Sequence, residues 1–402
     1  MQRILIIGGG FAGVWAARAA ARARRELAPR PSDLSITLVS RDPYLTIRPR
    51  LYEPAPERLR VPLDQALAGQ GVERMEGEVT ELDIAALTVS VAGAGGERRL
   101  AYDRLVLAAG SRLFRPTVPG AGEHAFSVDT HADAMALDRH LSTLAARPVG
   151  PGRFTAIVVG SGFTGLEVAT ELVARLRALA GAAHATEVRV VLVERADTVA
   201  PDLGPEPRPL VERALRELDI ALHLGTSVAE VRPDGVRLLG GEWIPALTTV
   251  WAGGLRASDL TAQLGGERDA LGRVTVDAAL RVEGVEHVIA AGDVARAKAD
   301  ATHATLMSCQ HAIPMGEVAG RNAVAGIVGA PMVRFAQPHY VTCLDLGPWG
   351  ALFTQGWERT VTLTGFWAKA MKETINTRLI YPPIDAAVGD DAEAPRRCGR
   401  AA

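Results

Sequence analysis

The 402-residue sequence holds only three cysteines, Cys309, Cys343 and Cys398. They lie far apart, with no CxxC or other paired spacing. That distribution argues against a disulfide framework, a zinc site or an iron–sulfur cluster, and it fits a reducing compartment. An excess of one charge is also missing: 44 Lys and Arg face 46 Asp and Glu, a net charge of −2. No basic field therefore recruits nucleic acid. No uninterrupted apolar run reaches the ~18 residues of a membrane-spanning helix. The N-terminus leads straight into a strand and a glycine loop, where a signal peptide would place a longer apolar region and a cleavage site. These absences make the cytoplasm the default location and leave contact with a membrane surface open. The remaining composition, 48% apolar and 22% charged, is that of an ordinary globular protein. The length suits two or three domains with sizeable cores.

Arg3-Ile4-Leu5-Ile6-Ile7 is a short apolar run that ends at a glycine cluster. An Ala/Arg-rich helical stretch follows, from about Ala12 to Arg25. After a break at Ala28–Asp33, Ser35–Val39 reads as a second strand, which completes a βαβ unit with buried parallel strands. The pattern then recurs as one duplicated unit. Phe154–Val159 is a strand, Phe163 to about Leu179 a helix, and Val188–Val193 the next strand. Tyr102–Gly110 and Val288–Asp293 each read as a strand running into a glycine turn. Pro116–Gly120 and Arg147–Gly152 read as linkers. From Phe335 onward the texture changes to aromatics, a short alternating run at Val361–Thr364 and one helical stretch near Trp367–Thr377. The tail after Pro383 is polar and reads as mobile.

Both glycine clusters spell GxGxxG: Gly8-Gly9-Gly10-Phe11-Ala12-Gly13 and Gly160-Ser161-Gly162-Phe163-Thr164-Gly165. In such a loop the first glycine permits the turn, the second lets backbone approach a pyrophosphate, and the third allows close helix–strand packing. The helix that follows aims free N–H groups and a partial positive charge at the phosphates. One such loop is a weak signal that turn glycines alone explain. Two, each between a strand and a helix, indicate two dinucleotide sites. The second unit also has the acid expected for a ribose diol, Glu194, which would repel a 2′-phosphate and favours NADH over NADPH. It lies farther from its loop than the usual ~20 residues, and the Ala-rich stretch Ala180–Thr186 accounts for that. In the first unit, Ser40-Arg41-Asp42 stands at this place. Ser40 offers one hydrogen bond where a carboxylate accepts two, so either the dinucleotide of this unit binds more weakly or Asp42 takes the role.

Together these features resemble the two-dinucleotide-binding flavoproteins, and within them the type II NADH dehydrogenases, over roughly residues 1–383. The resemblance implies an α/β fold with two Rossmann-like domains and a small α+β C-terminal region. A discontinuous FAD domain would cover 1–115 and 265–330, an NAD(H) domain 116–264, and the C-terminal region 331–402, packed over the flavin and the acceptor site. FAD would rest on Gly8, Gly10, Phe11, Ala12 and Gly13, with Ser40 and Arg41 at the next strand end. Further contacts would come from Ala109 and Gly110, from Gly292 and Asp293, and from Val79 and Met307. Tyr44, Pro49 and Leu51-Tyr52 resemble the segment that lines the isoalloxazine. NADH would rest on Gly160, Gly162, Thr164, Gly165 and Glu194, with Ala252 and Gly253 of Trp251–Gly254 beside the nicotinamide. Hydride transfer needs the nicotinamide carbon about 3–3.5 Å from the flavin nitrogen, and two dinucleotides on facing domains provide that approach. Glu167 has two readings: a first-turn acid that complements the helix dipole, or a catalytic group that orients the nicotinamide or relays a proton. A homodimer is a further implication of the resemblance.

The relatives also sharpen the acceptor question. Disulfide reductases of this group carry a cysteine pair beside the flavin, and none exists in the first 300 residues. Sulfide:quinone reductases need cysteines on both sides of the NADH domain, whereas Cys309 and Cys343 both follow Gly292-Asp293. Cys309 reads either as an inert buried thiol or as a reactive one. The quinone end of type II dehydrogenases has two glutamines on the helix after the Gly-Asp turn. Gln310 matches the first and is the candidate catalytic contact; Pro314-Met315 stands at the second. His311 could bond a quinone oxygen or be an ordinary core histidine. The segment Gly365–Lys372, with Trp367, Lys369 and Lys372, could touch a bilayer weakly, cap the flavin domain or form a dimer contact. Three readings stay open. The first is an FAD-dependent NADH dehydrogenase that reduces a quinone or quinone-like molecule. The second is a soluble tailoring or detoxifying flavin enzyme with another small-molecule acceptor or oxygen. The third is a flavin redox sensor without turnover.

Overall fold

The first strand, Gln2–Ile7, pairs in parallel with Leu34–Ser40 on one side and Arg104–Leu107 on the other, so that Ile4 faces both Ile36 and Arg104. This is the computed structural model of the chain; it describes residues 1–114 and 117–384. Arg115, Pro116, Cys398 and the rest of the tail from residue 385 lie outside the described residues. The sheet is all parallel, in the order Val288–Ala290, Arg104–Leu107, Gln2–Ile7, Leu34–Ser40, Glu73–Glu76. Ile4 to Ile7 are buried, because helices cover a parallel sheet on both faces. A second parallel sheet repeats the design in the order Ile220–His223, Arg189–Val193, Thr155–Val159, Thr248–Trp251. Each sheet has one long helix entering directly from its glycine loop, Phe11–Leu27 in the first and Phe163–Ala180 in the second. The chain is thus an α/β protein with two Rossmann-type units, as its sequence predicts.

Among the described residues, three three-stranded antiparallel sheets surround this frame. They are the meander Glu78–Asp83, Thr88–Gly93, Gly96–Ala101, the sheet Val228–Arg232, Gly235–Leu238, Trp243–Pro245, and the C-terminal sheet Val341–Asp345, Ala351–Gln355, Thr360–Thr364. The C-terminal sheet runs into the helix Gly365–Thr374 and a turn of π-helix at Ile375–Leu379. Leu344, Leu346 and Leu352 from this region share one core with Leu51 and Tyr52 and with Leu166, Val168 and Leu172 of the second loop helix. Three distant parts of the chain therefore meet at one place.

The helix Cys309–Val328 packs along Phe11–Leu27 with backbones in close approach. An added Cβ would stand 2.3 Å from the Ala12 carbonyl oxygen at Gly316 and 2.0 Å from that of Ala16 at Gly320. Pro314 lies inside this helix. It has no N–H for the carbonyl of Gln310, four residues back, and Gln337 Nε2 donates to that oxygen instead, at 3.1 Å. The helix therefore continues through the proline.

Gly320→Ala should lower stability by about 2 kcal/mol. Helix propensity favours alanine by about 1 kcal/mol, but overpacking against a rigid carbonyl costs about 1–3 kcal/mol and here falls at the upper end. Urea denaturation of the two proteins decides it, and a stabilised variant would contradict the close approach.

Candidate active site

The two glycine loops are geometric copies. A Cβ on Gly13 would stand 1.7 Å from the Gly8 carbonyl oxygen, and one on Gly165 would stand 1.8 Å from that of Gly160. The third glycine of each loop is thus imposed by the loop's own backbone. A second turn backs each loop. Ala108 lies against Gly8 and Gly13, and Ala252 and Gly253 lie against Gly165 and Gly160. Leu107–Gly110 and Trp251–Gly254 are therefore counterparts in the duplication. Trp251 Nε1 donates to the Gly253 carbonyl at 3.3 Å and fixes the second turn. Gly110 has a φ of +68°, open to glycine without cost.

The middle glycines behave differently. A Cβ on Gly10 or Gly162 would meet no atom within 4 Å, so packing among the described residues does not require glycine there. Close approach by a ligand backbone would. Both helix N-termini also lack a side-chain cap and an acidic residue in the first turn, which leaves their N–H groups and positive dipole ends available to an anion. Phe11 and Thr164 sit in these first turns, and Ala12 touches the Gly292 turn, where an added Cβ would lie 2.9 Å from its own. The residues present fit two dinucleotides.

At the strand ends the two units diverge. Glu194 is buried and accepts from the Ser161 N–H at 2.8 Å, the Ser161 hydroxyl at 2.9 Å and the Ala196 N–H at 2.9 Å. Ser161 is itself pinned, accepting from the Ala200 N–H at 3.0 Å. In the first unit a glycine, Gly9, replaces Ser161, and Ser40 replaces Glu194. A Cβ on Gly9 would come 2.5 Å from Ser40 Oγ, so the two choices are sterically linked. Asp42 accepts from the Tyr44 N–H at 2.9 Å and lies 3.9 Å from Arg60. Arg41 is exposed and pairs with Glu78 at 3.4 Å. Val79 is buried in the meander, Pro49 is half-buried in the turn Arg48–Arg50, and Met307 is half-buried just before the helix Cys309–Val328.

Asp293 follows Gly292 and accepts from Ser111 Oγ at 2.6 Å. Arg48 donates to the same Ser111 oxygen at 2.8 Å, lies 3.8 Å from Asp293 and pairs with Asp129. Burial pushes the Asp293 carboxyl above the usual carboxylate value, against the pull of Ser111 and Arg48. Arg48, Ser111 and Asp129 carry no motif and were not legible in the sequence.

Glu167 is buried and does not act as a simple dipole complement. Its Oε1 accepts from Lys372 Nζ at 2.7 Å and from the Asp345 N–H at 3.2 Å. Burial raises its carboxyl, with Lys372 opposing. Lys372 is 7% exposed and also donates to the Cys343 carbonyl at 3.0 Å. Lys369 likewise turns inward, to Asp345. Of the readings open for this segment, a bilayer contact made through these two lysines is therefore excluded. They sit one turn apart on the face of the helix that meets buried carboxylates, while Phe366 and Trp367 are 75% and 71% exposed.

Gln310 pairs with the backbone of Val341 at both ends of its amide, donating at 3.0 Å and accepting at 3.1 Å. One donor and one acceptor position remain for a ligand. His311, next to it, is 1% exposed. Its Nδ1 meets Ser308 Oγ at 3.0 Å, and its Nε2 has no hydrogen-bond partner among the described residues. Its ring begins a stack with Tyr340 at 5.6 Å, then Trp357 at 4.6 Å and His303 at 4.3 Å. Burial raises the Cys309 thiol to about 11 and the Cys343 thiol to about 12. Neither is a thiolate at neutral pH, which favours the inert reading of Cys309.

The profile of the pyridine nucleotide-disulphide oxidoreductase family matches residues 2–316. The chain belongs to that family. It is an oxidoreductase, and two relatives agree. It is 44% identical over 398 residues to an NADH dehydrogenase-like protein of Mycobacterium tuberculosis, covering 98% of this chain and 99% of that one. It is 32% identical over 326 residues to a type II NADH:quinone oxidoreductase of the same organism, covering 73% and 66%. In fold it is similar to NDH2 of Plasmodium falciparum, with a TM-score of 0.78 over 94% of this chain and 95% of that one at 14% identity. Among the described residues of this family member, no helix is long and apolar enough to cross a membrane.

Burial lowers the His311 imidazole from an ordinary value near 6.5 to about 4, with Arg273 adding to the effect. The folded protein thus binds fewer protons than the unfolded chain between these values. The contribution of His311 to stability should be nearly complete above pH 6.5 and fall by about 3 kcal/mol as pH drops to 4. Denaturant titrations across that window should show the loss in the natural protein and a much flatter curve in His311→Asn.

Proposed function

We propose that the chain is an FAD-dependent NADH dehydrogenase that reduces a quinone or quinone-like small molecule. The supporting observation is the pair of copied loops whose middle glycines, Gly10 and Gly162, face open space beside uncapped helix ends. The first loop, with Gly110, Gly292 and Asp293, would hold FAD. Ser40 replaces the ribose acid there, so more of the hold falls on the Asp293, Ser111 and Arg48 group. The second loop would hold NADH, and Glu194 would accept its ribose hydroxyls and repel a 2′-phosphate. When bound, the flavin supplies the hydride-accepting ring and the two-electron store. The chain's residues provide placement and charge. Uncapped N–H groups would hold the phosphates, Ala252 and Gly253 would border the nicotinamide, and Glu167 would supply a buried carboxylate. The catalytic contribution of Gln310 is restricted to the donor and acceptor positions that Val341 leaves free.

Two further observations favour a second reading, a flavin oxidoreductase with another acceptor. Pro314 occupies the place of the second glutamine, and the Gln310 amide is committed on both ends. The purified yellow protein, mixed anaerobically with NADH, should lose its flavin absorbance, and faster than with NADPH. Glu194→Ala should narrow that preference by slowing NADH more. Absence of bleaching would sink the oxidoreductase mechanism and leave the redox-sensor reading. Reoxidation by quinones faster than by air supports the quinone acceptor, and the reverse order supports the second reading.

Phe366 and Trp367 form an exposed edge-to-face pair with ring centroids 5.4 Å apart. They fit shallow, weak contact with a bilayer, which would bring a lipid-soluble acceptor to the site. In vesicle flotation, part of the natural protein should rise with anionic liposomes, and Phe366→Ser/Trp367→Ser should stay at the bottom. Equal behaviour of the two would exclude this contact.

A further inference from the structure

Two lysine–carboxylate pairs stand side by side where the helix Gly365–Thr374 meets the second loop helix. Lys372 Nζ lies 2.7 Å from Glu167, and Lys369 Nζ lies 2.6 and 2.7 Å from the two Asp345 oxygens. Asp345 takes part in both pairs. Its N–H donates to Glu167 Oε1 at 3.2 Å, while its side chain accepts from the Tyr52 hydroxyl at 3.0 Å and the Gly347 N–H at 2.8 Å. The Lys369 side chain is 30% exposed, against 9% or less for Asp345, Lys372 and Glu167. Lys369 is thus the member of the cluster that solvent reaches.

The charge on Asp345 needs an explanation. A neutral amide of the same shape could accept from the Gly347 N–H with its oxygen and donate to the Tyr52 hydroxyl with its NH2, so the turn and the tyrosine do not require a carboxylate. Keeping a buried charge is costly unless a partner offsets it, and Lys369 is that partner. The other ionisable groups facing the cluster are Glu171 and Arg175 from the second loop helix, Glu53 from the segment after Tyr52, and the Cys343 and Cys309 thiols.

We propose that Asp345 is a positioning residue for Glu167: its amide fixes the carboxylate, and its charge, balanced by Lys369, governs whether Glu167 holds a proton. The proposal rests on the reading of Glu167 as the carboxylate at the nicotinamide site. A negative charge nearby disfavours ionisation of Glu167, and a cation beside that charge cancels the effect. The two partners should therefore push Glu167 in opposite directions. Asp345→Asn keeps the backbone N–H and removes the charge, so Glu167 should titrate about one pH unit lower. Lys369→Met leaves Asp345 unbalanced, so Glu167 should titrate higher by a similar amount.

The test uses the purified holoenzyme. The infrared band of the protonated Glu167 carboxyl, assigned by its loss in Glu167→Gln, is titrated against pH in each variant. The pH profile of flavin bleaching by NADH is recorded alongside. Opposite shifts in the two variants, with Lys369→Arg at the natural position, are the expected result. Shifts of one sign, or none, overturn the proposal, since a purely structural role would produce those. Should Asp345→Asn fail to fold, Lys369→Met against Lys369→Arg decides alone, with a higher titration in the methionine variant expected and no difference overturning it. If Glu167→Gln bleaches with the natural rate and pH dependence, the placement of Glu167 at the nicotinamide fails, while the infrared shifts still decide its coupling to Asp345.

Discussion

The molecule depends on a close approach of backbone to backbone. Each loop helix can start at the end of its strand only because nothing projects from Gly13 or Gly165, whose neighbours Gly8 O and Gly160 O lie within covalent-like distance of where a Cβ would be. That contact points each helix N-terminus at the sheet edge, and the uncapped N–H groups follow from it. The same device recurs at Gly316 and Gly320, where the helix Cys309–Val328 packs along the first loop helix. The scaffold is therefore set by small residues at a few fixed places, and the side chains around them are left to chemistry.

The C-terminal region is bound to this scaffold by charge as well as by apolar packing. Glu167 and Asp345 are both buried, and their cations come from one helix. Removing one partner of such a pair strands the other and costs about 3–5 kcal/mol. The helix Gly365–Thr374 is consequently part of the folded core, although its outer face carries exposed aromatics. Leu51 and Tyr52 enter the same core, so the segment resembling an isoalloxazine lining, the second loop helix and the C-terminal sheet are held in one register.

The sequence made the parallel frame legible because buried strands and GxGxxG loops are written in local, contiguous residues. Strand and helix limits agree to within a residue or two, as with Gln2–Ile7 and Phe163–Ala180. The antiparallel sheets were mostly missed, since short half-exposed strands such as Gly96–Ala101 carry little hydrophobic signal. The site divided in the same way. Glycines and Glu194 announce themselves by spacing. Arg48, Ser111 and Asp129 in one group, and Asp345 and Lys372 in another, are placed only by tertiary folding, across separations of up to 293 residues. The roles of Lys369 and Lys372 stayed open for a related reason: a lysine one turn from a tryptophan suits a membrane surface as well as a cap until its buried carboxylate is known.

The exchange of Gly9 and Ser40 for Ser161 and Glu194 separates two tasks that the duplicated scaffold would otherwise share. A resident prosthetic group needs to be retained, and many moderate contacts suffice for that. A co-substrate that leaves at every turnover must be told apart from its near-twin and then released. A carboxylate locked in place by a serine, as Glu194 is by Ser161, would suit discrimination. Under the proposed assignment of FAD to the first loop and NADH to the second, one half of the duplicated protein would serve retention and the other selection, through paired changes at two positions.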